Sequence, residues 1–98
     1  MVQLHDTTEE LAFETFEMAI ADNALPFAEV SAQVKQRARQ INKDAMMLSW
    51  YNGRTGKGYP DYDCGNERPF WEMFADSRGC NLKIIVNDGD YVFYYLKL

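Results

Sequence analysis

Histidine and cysteine are scarce in this 98-residue sequence, which contains one histidine, His5, and two cysteines, Cys64 and Cys80. The cysteines lie 16 positions apart and form no CxxC pair, so the usual spacing of zinc or iron–sulfur ligands is missing. Cys64 is a candidate nucleophile because Arg68 and a following helix start would favour its thiolate, but no nearby histidine could serve as its base. We therefore expect no metal, no cofactor and two reduced thiols.

Long apolar runs and an early basic segment are also missing. The longest apolar stretches, such as residues 45–48, are far shorter than the roughly 20 residues that cross a bilayer. The first 15 residues hold four acidic residues and no lysine or arginine, whereas a signal peptide begins with basic residues. These features predict a cytoplasmic protein with no membrane partner.

Basic residues are concentrated in one part of a chain whose net charge is −5. Residues 1–31 hold seven acids and no base, while residues 32–57 hold six bases and one acid. An acidic chain lacks the broad basic surface that contacts phosphate backbones, so we do not expect nucleic acid as a partner. The basic stretch is either a solvated helix face or a surface for an acidic partner.

Repeats, low-complexity tracts and flexible linkers are not found, and 47% of the residues are hydrophobic. This composition is typical of a chain that folds around one core. We expect a single domain over residues 1–98.

The apolar pattern predicts three helices and three strands. Helical spacing covers residues 8–22, 26–41 and 67–78, and strand-like alternation covers 45–51, 81–87 and 91–97. Thr7 or Thr8 would cap the first helix, and residues 52–66 are read as a long glycine-rich loop. The predicted fold is an α+β two-layer sandwich of order ααβαββ, with a three-stranded, mainly antiparallel sheet and all helices on one face. The predicted inner face of the last strand carries Val92, Tyr94 and Leu96.

The opposite, uncovered face of this predicted sheet carries four aromatic residues: Tyr51, Tyr91, Phe93 and Tyr95. Large exposed apolar patches commonly mark interfaces between proteins. The leading hypothesis is a non-enzymatic interaction domain that forms a homodimer or binds another protein through this face.

The alternative is a ligand-binding or catalytic domain whose site lies in the 52–68 loop. This loop combines both charge signs with glycine, and its candidate site residues are Arg54, Lys57, Asp61, Asp63 and Arg68. Lys57 is followed by glycine rather than serine or threonine, so the loop departs from a nucleotide-hydrolysing P-loop. The calcium-like spacing of Asp61, Asp63 and Glu72 lacks glycine at the sixth position. No catalytic signature was identified elsewhere.

Overall fold

The computed structural model describes residues 13–22, 24–62 and 67–98, and these contain both helices and strands. The strands are β1 (Glu14–Met18), β2 (Met46–Asn52), β3 (Lys57–Tyr59), β4 (Leu82–Val86) and β5 (Tyr91–Leu96). The helices are α1 (Phe27–Ile41) and α2 (Phe70–Ser77), and a 3-10 turn spans Asn87–Gly89. No helix in this described part is long and apolar enough to cross a membrane.

The five strands form one mixed sheet in the order β1-β4-β5-β2-β3. β1 runs parallel to β4, and every other neighbouring pair is antiparallel. The predicted three-stranded sheet and the order ααβαββ are therefore wrong, although the fold is still α+β. β3 was missed because it is short and contains Gly58, a residue that is uncommon in strands.

The predicted first helix, residues 8–22, is also wrong over its described part. Residues 14–18 form β1, whose backbone pairs with β4 from Glu14 opposite Leu82 to Met18 opposite Val86. Phe16 and Met18 alternate with exposed polar residues, a pattern that fits a strand as well as it fits a helix. Tertiary pairing with β4 decides between the two. The proposed cap at Thr7 or Thr8 lies outside the described residues.

Helix α1 confirms the prediction for residues 26–41. Pro26 occupies the N-cap position, and the helix extends from Phe27 to Ile41. Val30, Val34 and Ala38 recur at steps of four and are almost completely buried, at 2%, 0% and 0% exposure. This apolar stripe packs on one face of the sheet, where Leu82, Ile84 and Val86 complete the core.

The assignment of β5 side chains to the two sheet faces was inverted. Phe93 lies directly opposite the buried Ile84, so both side chains point toward α1. The connection between β4 and β5 is a 3-10 turn with positive φ at Asn87, Asp88 and Gly89. A shift of one residue in a strand moves every side chain to the other face.

Helix α2 covers the opposite side of the sheet, so the helices do not share one face as predicted. The Ser49 hydroxyl of β2 donates a hydrogen bond of 2.8 Å to the carbonyl oxygen of Trp71. Tyr51 stacks on the Trp71 indole at 5.1 Å between ring centroids, and Gly58 of β3 leaves the space that this indole fills. β2 and β3 are therefore anchored to α2 through Trp71.

Candidate functional site

The predicted aromatic interface is not an exposed surface. Tyr91, Phe93 and Tyr95 are 5%, 0% and 1% exposed beneath α1, and the half-buried Tyr51 packs against α2. The four side chains lie on two opposite faces of the sheet, each covered by a helix. They are not available to a partner in this structure. Formation of a homodimer stays a prediction.

The residues of the predicted 52–68 site are spread over three places. Arg54 lies in the turn between β2 and β3, Lys57 begins β3, and Asp61 is exposed beyond its end. Arg68 forms ion pairs with Glu72 at 2.8 Å and Asp76 at 2.5 Å on α2. Asp63, like Cys64 and His5, lies outside the described residues.

No hydrogen bond or ion pair joins Lys57, Asp61 and Arg68 to one another within the part of the chain that the structure describes. A ligand site in this loop stays a prediction.

A different site lies between α1 and the start of β2. We call it the α1–β2 groove, a cavity of about 220 Å³ lined by Ser31, Lys35, Arg39, Ala45, Met46, Met47 and Tyr95. The local sequence explains how it forms, because Ser31, Lys35 and Arg39 recur at steps of four and share one side of α1. The chain then turns back at Asn42, whose side-chain oxygen accepts a hydrogen bond from the amide of Asp44 at 3.1 Å.

Tyr95 contributes the buried part of the groove. Its side chain is 1% exposed. Burial raises the pKa of this hydroxyl to about 12, while the nearby Arg39 has a smaller opposite effect. The hydroxyl is therefore a neutral donor at physiological pH. No buried side-chain nitrogen or oxygen atom among the described residues lacks a hydrogen-bond partner, so this hydroxyl carries no penalty of an unsatisfied buried donor.

Lys35 and Arg39 contribute two exposed cations without counterions. Neither forms an ion pair with any of the described residues. Arg37, on the same helix but outside the groove, is different: it donates a hydrogen bond of 3.3 Å to Gln40 and lies 5.8 Å from the centre of the Phe16 ring. Two cations and two hydroxyls, those of Ser31 and Tyr95, thus line one small cavity.

The groove continues onto a shallow depression on α1 and an apolar edge. The depression, about 590 Å³ in volume, is lined by Ala32, Lys35, Gln36, Arg39 and Gln40. On the other side, Met46 and Met47 are 51% and 44% exposed. An anionic group in the groove would thus meet positive charge and hydroxyl donors, with apolar surface beside them.

Sequence reasoning identified the basic side of this helix but not the groove. The spacing Ser31, Lys35, Arg39 was available as a signal. The contribution of Tyr95 to the groove could not be predicted, because the sequence pattern assigned this side chain to the wrong face of the sheet.

The other titratable groups that the structure describes give weaker evidence for a functional site than the groove does. No group of three or more histidine, cysteine, aspartate or glutamate residues in that part of the chain could hold a metal ion. Cys80 is a free thiol whose pKa is raised by burial, which disfavours the reactive thiolate. Lys97, next to a second hollow at the ends of β1 and β5, pairs with Glu14 at 2.5 Å.

Comparisons with known proteins give the chain a family but no activity. An uncharacterized protein from Archaeoglobus fulgidus is 42% identical over 50 residues, which make up 51% of this chain and 54% of that relative. The chain thus matches about half the length of this curated relative. The crystal structure of the novel protein AF1514 from the same species has a TM-score of 0.74 and 28% identity, covering 88% of this chain and 96% of the other. Residues 13–95 match the family described as Domain of unknown function (DUF5619), and the chain belongs to that family.

Proposed function

We propose that this protein is a binding domain whose ligand carries a phosphate or carboxylate group, held in the α1–β2 groove. The observation that supports this proposal is the pair of cationic residues lining the groove, Lys35 and Arg39, which form no ion pair with the described residues. An anionic oxygen in the groove would be attracted by both charges, and the neutral Tyr95 hydroxyl could donate a further hydrogen bond to it.

The charges around this hydroxyl favour the same class of ligand. Lys35 and Arg39 lie on the rim without an acidic partner among the described residues, so the groove attracts negative charge. Arginine suits phosphate and carboxylate because its planar guanidinium can donate two parallel hydrogen bonds. Ser31 adds a fourth polar side chain at the helix wall.

The lining residues favour binding over catalysis. They include no carboxylate, imidazole or thiol, so no histidine, aspartate or glutamate in the lining could activate the Ser31 hydroxyl as a nucleophile. Its volume of about 220 Å³ is below the usual range for pockets that enclose a whole drug-sized ligand. We expect the groove to hold one charged group of a larger ligand.

The test is a calorimetric titration with inorganic phosphate on the unmodified protein and on Arg39→Gln. A charge-assisted hydrogen bond and its ion pair contribute enough that we expect the variant to bind about tenfold more weakly or worse. Arg37→Gln is the matched control, since it removes the same charge from the same helix outside the groove. Equal weakening by both variants would indicate a general charge effect, and no phosphate binding to the unmodified protein would overturn the proposal.

A further inference from the structure

A stacked aromatic pair with one exposed ring lies at the edge of the sheet. Tyr59 of β3 is 62% exposed, and its ring stacks on Trp50 at 6.2 Å with an angle of 23° between the planes. Trp50 is in turn supported by Phe27, the first residue of α1, at 4.5 Å. The pair is thus held firmly on its inner side and open on its outer side. Such a ring offers a surface on which another planar group can stack.

The strand register places this pair on the same face of the sheet as the α1–β2 groove. Met47 of the groove lies opposite Tyr95, and Trp50 lies opposite Phe93. Tyr95 and Phe93 both belong to the core beneath α1, so the residues paired with them face that side too.

Tyr59 pairs with Trp50 and extends the same face to the edge strand. Trp50 follows Met47 by three positions in β2, which corresponds to about 10 Å along the strand. The groove and the aromatic pair are close enough for one small molecule to contact both.

We infer that the ligand of the groove is an anion that also carries a planar ring, with the anionic group between Lys35 and Arg39 and the ring on Tyr59. This inference rests on the proposed function and adds the chemical class of the ligand. Nucleotides combine a phosphate and a flat base, and stacking of a base on an aromatic side chain contributes substantially to affinity in other proteins. The groove accounts for the charged group and the stacked pair accounts for the ring.

The test compares inorganic phosphate with AMP, ADP and ATP by calorimetry on the full chain. We expect at least one nucleotide to bind about tenfold or more tightly than phosphate, because stacking adds to the same anion contact. The number of phosphates in the tightest binder reports the distance between the anion site and the ring.

Two variants separate stacking from structural support. Tyr59→Ala should bring nucleotide affinity down to that of phosphate, while Tyr59→Phe, which keeps the ring, should retain the difference. Thermal unfolding of both variants shows whether they remain folded. Quenching of Trp50 fluorescence by AMP in Trp71→Phe gives a second readout in the otherwise unchanged chain.

The two proposals fail in different ways. If phosphate binds and depends on Arg39 but no nucleotide binds more tightly, the inference about the ring is wrong and the proposed function stands. If nucleotide binding survives both Arg39→Gln and Tyr59→Ala, the ligand lies elsewhere and the inference is overturned. If neither phosphate nor any nucleotide binds, both proposals are wrong.

Discussion

Arg39 of α1 lies close enough to Tyr95 of β5 for its positive charge to act on the buried tyrosine hydroxyl. Burial has the larger effect and keeps the hydroxyl protonated, so a cation and a neutral donor face the same small cavity. Arg39 forms no ion pair with any residue in the described part of the chain. This pair is the basis of the proposed anion site.

Stability should fall at high pH because two tyrosines are buried in their neutral form. The pKa values of both Tyr94 and Tyr95 are raised from 10 to about 12, chiefly by burial, and for Tyr94 the negative charge of Glu72 contributes to the rise. The stabilisation is complete below pH 10, where the unfolded chain also holds these protons, and is lost as the pH rises toward 12. The loss is on the order of 2 kcal/mol for each hydroxyl.

Urea unfolding on both sides of pH 10 checks this expectation. Tyr95→Phe should make the alkaline loss smaller. Tyr62→Phe, at a side chain that is 67% exposed, should leave it unchanged. A flat stability profile up to pH 12 would contradict burial of the two hydroxyls.

Gly58→Ala should destabilise the protein through contact with one side chain. A Cβ atom at this position would overlap the Trp71 indole, which anchors β2 and β3 to α2. We expect a decrease in the free energy of unfolding of about 1–3 kcal/mol, measured by chemical denaturation. Lys57→Ala, at the exposed neighbour in the same strand, should change it by less than about 0.5 kcal/mol. Equal stability of the two variants would show that Trp71 does not pack on Gly58.

Phe93→Ala should remove part of the core. The Phe93 ring is 0% exposed and stacks on Phe27 at 5.7 Å, so its loss leaves a cavity beneath α1. Truncation of a buried phenylalanine typically lowers the free energy of unfolding by about 3–5 kcal/mol. Met46→Ala, at a side chain that is 51% exposed, is the control with a much smaller effect. A Phe93→Ala variant as stable as the unmodified protein would favour the open face predicted from the sequence.

The sequence predicted helix α1 well because its signals agree. Pro26 suits a helix start, and Val30, Val34 and Ala38 recur with helical spacing and are all buried. By contrast, the apolar residues around Phe16 fit both helical spacing and strand alternation. Only the long-range pairing of Phe16 with Ile84 makes this segment a strand. The local sequence pattern contains no information about this contact between distant segments.

The functional site was harder to predict because it depends on strand register. Lys35 and Arg39 could be seen on one side of a helix, but a solvated basic face has the same pattern. Tyr95 joins them only because the turn at Asn87 to Gly89 directs alternate residues of β5 toward α1. The stacked pair of Tyr59 and Trp50 likewise requires β3, which could not be recognised in the glycine-rich sequence.

The most direct test of the account is a phosphate titration of Tyr95→Phe combined with its unfolding free energy. This variant removes only the hydroxyl, so the free energy of unfolding near neutral pH should change by about 1 kcal/mol or less. We expect phosphate affinity nevertheless to fall about tenfold, since the anion loses a hydroxyl donor. Unchanged phosphate affinity, or a large loss of stability with the same affinity, would show that the hydroxyl serves the fold and not a ligand.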